Sequence, residues 1–315
     1  MLDALTMGSS IVEFIPEKLS ARLRDIRVFR ASVGGSATNM AVAMSRLGLR
    51  VGIISRTGAD EFGQMIINEL GYEGINVAYI KPVEKYLTGI SFYQIDPSGE
   101  KTYFFYRFRG YSMPEEIWLT DPSELEVAGQ SKSLVLTEAA VRNESSRTAA
   151  IEILQRVSKS GGIVVYDPNL RGSLWELETA IKESRRIISL VDVVTPNLDE
   201  VMKLTGVGNI VDAGEQLLKM GVRIVAVKQG NEGCTLMSRS RIIHVPGFKV
   251  KASDDTGAGD AFCAGLVYGL LKKWDTHRIG LFANAVAALK VSRIGVKDAM
   301  PRMSEVEAFI RMGKT

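Results

Sequence analysis

Cysteine is nearly absent from this chain. Cys234 and Cys263 are the whole complement in 315 residues. Their spacing suits no metal-ligand set, and Cys263 sits in an apolar stretch, so both read as reduced, buried thiols of a cytoplasmic protein. Histidine is as scarce. His244 and His277 fall in no pattern that suggests chemistry and read as surface residues. Charge of one sign is missing too: a formal net charge of +3 is too small to argue for nucleic acid or a membrane surface. No apolar run approaches the roughly 20 residues that span a bilayer. Met1 to Thr6 lacks the basic residues that open a signal peptide. There is no repeat, no low-complexity tract and no basic run. What remains is the ordinary composition of a globular protein, long enough for one large α/β domain with at most a small appendage.

The most informative stretch is Asp254-Asp255-Thr256-Gly257-Ala258-Gly259-Asp260-Ala261-Phe262, followed by Cys263-Ala264-Gly265-Leu266-Val267-Tyr268-Gly269-Leu270. The first part is small, flexible and acidic. The second is apolar, with small residues spaced for close packing. Together they read as a loop entering a buried helix. The free N–H groups of a first helical turn, with the helix dipole, form an anion site. Gly257 and Gly259 let the backbone approach a phosphate without a Cβ in the way. Asp260 would be repelled by that phosphate unless it works as a general base on an attacking hydroxyl. The plainer alternative is an Asp that stabilises a helix dipole, with glycines that serve only a turn.

A second glycine string lies near the N-terminus: Gly34-Gly35-Ser36-Ala37-Thr38-Asn39-Met40-Ala41, then Leu47-Gly48 and Gly58-Ala59-Asp60-Glu61-Phe62-Gly63. Met40, Ala43, Met44 and Leu47 repeat at helical spacing and place Asn39 on a first turn. Its amide can donate to and accept from a polyol, or cap the backbone locally. The two strings, in this order and this far apart, resemble the paired signatures of the ribokinase-like (PfkB) sugar kinases. The resemblance runs over nearly the whole chain, and within the family it is most like 2-keto-3-deoxygluconate kinases and fructokinases.

That resemblance implies a ribokinase-like α/β fold over residues 1–315: a doubly wound, mainly parallel sheet flanked by helices, with a small β-sheet lid from about 12–33 and 87–112. The strand–helix alternation agrees, with strands read at Val51–Ser55, Lys132–Thr137, Ile163–Tyr166, Val191–Thr195 and Ile224–Lys228. Shorter strands are expected at Ile242–Val245 and Phe248–Val250. Arg27–Val33, Thr88–Gln94 and Thr102–Phe108 alternate or are β-branched and aromatic, with the turn Asp96-Pro97-Ser98-Gly99 between the last two. An exposed sheet so aromatic wants covering, by substrate, by the main body or by a second subunit's lid. A homodimer through the lid is the expectation.

The resemblance also distributes roles. Asp260 is the base, and the N–H groups of Gly257, Ala258 and Gly259 hold the phosphoryl oxygens. Glu13 bonds sugar hydroxyls, although alone it reads as the solvent face of an alternating strand. Gly34, Gly35, Asn39, Tyr93 and Tyr106 complete the sugar side. Arg107 on the lid, and Arg171 in Asp167-Pro168-Asn169-Leu170-Arg171 with Trp175 just beyond, suit a carboxylate, since a guanidinium binds it bidentately; Arg171 would hold either that carboxylate or the transferring phosphate. Otherwise Arg107 and Arg109 are solvated edge charges, and Asp167 and Arg171 pair with each other. The family's lid run is often two tyrosines before Arg; here Phe105 takes the first place. Asn197 and Glu200 organise Mg2+ and phosphate through water, while also forming a capping-box-like helix start. Lys228, Gly230, Gly233 and Asn284 fall on the nucleotide side. An optional monovalent-cation site follows an Asp like Asp254, but Asp255 replaces a neutral residue there.

The expected reaction is transfer of the γ-phosphoryl group of ATP, with Mg2+, to a primary hydroxyl of a small sugar or sugar acid. Glu13, Arg107, Asp167–Arg171 and Trp175 favour 2-keto-3-deoxygluconate, with fructose as the alternative and nucleosides third. A non-catalytic sugar or nucleotide sensor is the alternative of another class, and the retained Asp260 argues against it.

Overall fold

The computed structural model describes residues 1–17, 21–95, 101–106, 118–170 and 174–313. Its strands are β1 (Ala4–Met7), β2 (Ile11–Pro16), β3 (Phe29–Gly34), β4 (Val51–Gly58), β5 (Ile80–Val83), β6 (Ile90–Ile95), β7 (Lys101–Tyr106), β8 (Ser133–Thr137), β9 (Ile163–Asp167), β10 (Val193–Val194), β11 (Ile224–Lys228), β12 (Cys234–Ser238) and β13 (Arg241–Val245). Nine of them form one sheet in the order β13-β12-β11-β10-β9-β8-β1-β4-β5. It is parallel except where β12 runs against β11 and β13. The four others form a separate sheet, β3-β2-β6-β7.

The nine-stranded sheet is covered on both faces. Helices α1 (Ser36–Arg46), α2 (Glu61–Tyr72), α9 (Ala258–Leu271), α10 (Thr276–Val291) and α11 (Met303–Arg311) share one apolar core with Val51, Ile53, Val135 and Val165. Helices α3 (Pro122–Gly129), α4 (Glu138–Val141), α5 (Glu144–Lys159), α6 (Leu177–Ile188), α7 (Leu198–Thr205) and α8 (Ile210–Lys219) pack the other face around Leu5, Ile54, Leu134 and Tyr166. Because both faces are buried, β4 and β8 carry no exposed position, which is why Val51–Ile54 and Leu134–Leu136 read as apolar runs rather than alternating ones. In α9, Gly265 lets α10 come so close that a Cβ would lie 2.8 Å from the Ala283 Cα.

Two expectations need correction. Phe248–Val250 joins no sheet; Phe248 is buried against Phe309, ring centroids 4.9 Å apart, so its apolar character serves a helix contact and not a ladder. The antiparallel strand β12 was not among the expected strands, because the glycines before it read as nucleotide-loop residues. Strand β6 of the smaller sheet starts at Ile90 and not Thr88. Thr88 instead ties the lid to α2: its N–H and hydroxyl both donate to the Asp60 carboxylate at 2.7 Å, while Asp60 also caps α2 by accepting from the Gly63 N–H at 2.8 Å.

Candidate active site

The C-terminal ends of the parallel strands, where ligands of open α/β sheets bind, meet the start of α9 beneath the small sheet. Gly257, at φ 77°, turns the chain into that helix, and a Cβ there would lie 2.7 Å from Val296 Cγ1. The loop before it is fixed by Asp254. One carboxylate oxygen accepts from the Thr256 N–H at 3.0 Å and the Thr256 hydroxyl at 2.6 Å. The other accepts from the Gly295 N–H at 3.1 Å and the Tyr93 hydroxyl at 3.4 Å. Among the described residues, the N–H groups of Gly257 and Gly259 carry no hydrogen bond. That of Ala258, expected beside them, donates to the Asp255 carbonyl at 3.0 Å. Fewer N–H groups are therefore available at the candidate anion site than the sequence suggested.

Asp260 sits in the first turn of α9, buried, and accepts from the Asn39 amide at 2.8 Å. Glycine strings some 200 residues apart in sequence are thus joined by one hydrogen bond. Asn39 Oδ1 finds no partner among the described residues, so an acceptor is left for a ligand hydroxyl. Both residues line a pocket of about 510 Å3, part of it open to solvent. Glu13 and Gly35 line it as well, and Gly34 makes room for Glu13, since a Cβ there would lie 2.3 Å from the Glu13 Cδ.

Strand register decides which of the other expected sugar contacts reach the pocket. Glu13 pairs with Ser32 and Ser91, and Ser91 with Phe105, so these share the face that looks at the loop. Phe105 lines the pocket. Tyr106, one residue on, turns to the opposite face, packs edge-on against Phe92 at 5.2 Å and is 59% exposed, so it does not line the pocket where a sugar contact was expected. Tyr93 is on the site face but buried deeper, bonded to Asp254 rather than lining the pocket. Arg107, Arg109 and Arg171 lie outside the described residues.

A different cation lines the pocket. Arg142, at the end of α4, and Glu138, at its start, both face the cavity with Ser36 and Thr256. Glu138 accepts from Asn169 Nδ2 at 3.2 Å, and the same amide donates to Ser36 at 2.8 Å. Sequence reasoning missed this pair. The available signal was Thr137-Glu138 at the carboxyl end of a buried strand, the position where binding residues cluster.

On the side expected to take the nucleotide, the Lys228 side chain is only 14% exposed. Its ammonium lies 2.9 Å and 3.0 Å from the two Asp167 oxygens, and a Cβ on Gly259 would be 3.2 Å from it. A positive charge thus stands beside the first turn of α9. Burial pushes Asp167 up to about 7; the Lys228 ammonium opposes this and the Glu200 and Asp260 carboxylates reinforce it. For Lys228, burial disfavours the charge, yet Asp167 and Glu200 outweigh it and raise its pKa. Asn197 and Glu200 form a full capping box at the start of α7, with bonds of 2.9 Å and 2.8 Å. Glu200 accepts from the Leu170 N–H as well, at 2.9 Å. Among the described residues no three acidic, histidine or cysteine side chains converge as direct metal ligands. An exposed Asn197 amide and a carboxylate with lone pairs to spare fit an ion that keeps its waters, as Mg2+ does. Gly230 and Gly233 adopt positive φ just after β11. Asn284 spends its amide on the Val245 and Pro246 carbonyls at 3.0 Å and 3.1 Å, so it shapes the adjoining loop.

The family model described as pfkB family carbohydrate kinase matches residues 1–303. A fructokinase of Escherichia coli is 30% identical over 310 residues, covering 96% of this chain and 97% of that protein. A 5-dehydro-2-deoxygluconokinase of Clostridium botulinum is 28% identical over 322 residues, 99% of this chain and 94% of that one. A solved candidate ribokinase II of Escherichia coli, in complex with ATP and Mg2+, aligns with a TM-score of 0.89 at 24% identity, covering 99% of this chain and all of that one. The likeness therefore extends from the first strand through the helix that carries Asp260, and the protein belongs to the pfkB family of carbohydrate kinases.

Proposed function

We propose that this carbohydrate kinase transfers the γ-phosphoryl group of ATP to a primary hydroxyl of a small keto sugar acid, with 2-keto-3-deoxygluconate as the best candidate. The observation that carries the choice of an acid is Arg142, a guanidinium that shares one pocket with Asp260 and Asn39. A fork of donors in a half-buried pocket suits a carboxylate far better than a neutral hydroxyl. The relative named for a deoxygluconate with a keto group points the same way. Arg107 and Arg171 remain proposed contacts to the same acid group.

In this reading Asp260 takes the proton of the attacking hydroxyl, held in orientation by the Asn39 amide. The N–H groups of Gly257 and Gly259, at the positive end of α9, stabilise charge developing on the transferred group. Lys228 stands beside Gly259 and adds positive potential there. Asn197 and Glu200 would hold a hydrated Mg2+, which supplies charge neutralisation on the nucleotide phosphates. Glu13 and the Asn39 carbonyl orient sugar hydroxyls. Gly230, Gly233 and Asn284 shape the loops against which the nucleotide lies.

Fructose is the second reading, favoured by the relative named fructokinase. The deciding experiment is a coupled assay of both sugars with ATP and Mg2+. The sugar acid should exceed fructose in kcat/KM by at least about tenfold. A preference for fructose overturns the acid reading. We also propose that the outer face of the lid, where Phe14, Phe29, Phe92 and Tyr106 cluster, is covered by the lid of a second copy.

A further inference from the structure

Lys290 is buried completely, at 0% exposure, in the last turn of α10. Lysine normally keeps its ammonium in water, and nothing in the proposed phosphoryl transfer uses this one. Its Nζ donates to the backbone carbonyl of Asp254 at 2.6 Å. The backbone around it makes the same connection: the N–H groups of Ser253 and Asp254 both donate to the Val291 carbonyl, at 2.8 Å and 3.1 Å. The end of α10 therefore grips the stretch that leads directly into the Gly257–Gly259 turn. The C-terminal end of a helix favours a cation, so the ammonium is held there by the dipole of α10 and by the loop carbonyl.

We propose that Lys290 is a positioning residue that acts as a built-in monovalent cation. Its charge fixes the Asp254 carbonyl, and through it the turn that presents the Gly257 and Gly259 N–H groups to the transferred phosphoryl group. The enzyme then needs no monovalent ion of its own, although the loop carries Asp254, Asp255 and Asp260 within seven residues. The inference rests on the proposed role of this loop in phosphoryl transfer, but not on the identity of the sugar.

Three substitutions separate the charge from the bulk. A methionine would fill much of the same volume and donate nothing. A glutamine would donate but carry no charge. An alanine would leave a space with a carbonyl at its wall, open to a small cation. The test is steady-state kinetics on whichever sugar the wild type phosphorylates best, in a buffer whose only monovalent cation is tetramethylammonium. Wild type should change less than about twofold on addition of potassium or ammonium. Lys290→Ala should lose at least about tenfold in kcat with the sugar KM within about threefold, and ammonium or potassium at tens of millimolar should recover at least about fivefold of it. Lys290→Met and Lys290→Gln should show the loss without the recovery.

A lysine that merely filled space would lower the melting temperature and be replaced by no ion. Wild type that depends on potassium, a fully active Lys290→Met, or a folded Lys290→Ala that no cation restores overturns the proposal. If Lys290→Ala does not fold, the ion dependence of wild type and the kcat of Lys290→Gln decide alone. A wrong choice of sugar acid shows itself separately, as a wild type that prefers another sugar while its response to these ions and substitutions stands.

Discussion

The nine-stranded sheet hides every position of β4 and β8, whereas the four-stranded sheet sorts its side chains by parity. In the large sheet, the candidate site residues emerge at strand ends: Glu138 after β8, Asp167 at the end of β9, Lys228 at the end of β11. In the small sheet, function and packing alternate within one strand. Glu13 and Phe105 turn to the pocket; Phe14 and Tyr106 turn away from it. In the proposed reading, the body supplies phosphoryl chemistry from loops and helix starts, and choice of sugar is shared between Arg142 of the body and one face of the lid.

The largest effects should come from the body. Excess chelator should abolish sugar-dependent turnover, because Asn197 and Glu200 suit an ion held through water. Turnover that persists in chelator would remove Mg2+ from the reading. Asp260→Asn should lower kcat by roughly 100-fold or more with ATP affinity little changed, since the helix start and Lys228 remain. A variant that keeps more than half the wild-type kcat would end the assignment of Asp260 as base.

Sugar choice should respond more moderately. A desolvated guanidinium–carboxylate contact exceeds a neutral hydrogen bond by on the order of 1.5–3 kcal/mol. At about 1.4 kcal/mol per tenfold, Arg142→Ala should cost the sugar acid roughly 10- to 150-fold in kcat/KM. Fructose turnover should fall much less. The same pair of assays on Arg107→Ala ranks the two cations. Equal losses on both sugars, for both variants, would mean that neither guanidinium reads the acid group.

Much of this was legible in the sequence, for reasons that belong to particular residues. The two glycine strings are readable because a positive φ at Gly35 and Gly257 leaves few other residues acceptable. The parallel sheet is readable because strands buried on both faces are continuous runs of Val, Ile and Leu. The Asn39–Asp260 hydrogen bond was not readable, since no local pattern reports a contact across 221 positions. Arg142 was missed because its place depends on how the short α4 sits over the end of β8. The facing of Tyr106 was not readable, because a family pattern gives residue types, whereas facing depends on register, and a shift of one position reverses it.

The smallest kinetic effect should come from the lid's outer face, and it is the sharpest test of parity. Phe105 and Tyr106 are neighbours of similar size on one strand. Phe105 lines the pocket; Tyr106 lies 59% exposed on the other side, against Phe92. Phe105→Ala removes an apolar wall from the sugar, and losing about 1.4 kcal/mol of contact would raise the sugar KM about tenfold. Tyr106→Ala leaves that wall in place, so the sugar KM should stay within about threefold of wild type. Its effect should instead appear in assembly, because an aromatic anchor at the centre of an interface carries a large share of its energy. Light scattering across a dilution series should show Tyr106→Ala dissociating at higher concentration than wild type, and Phe105→Ala dissociating with it. If Tyr106→Ala raises the sugar KM as much as Phe105→Ala does, the two faces are not separate in function. If it changes neither KM nor mass, the outer face is not covered by a second lid.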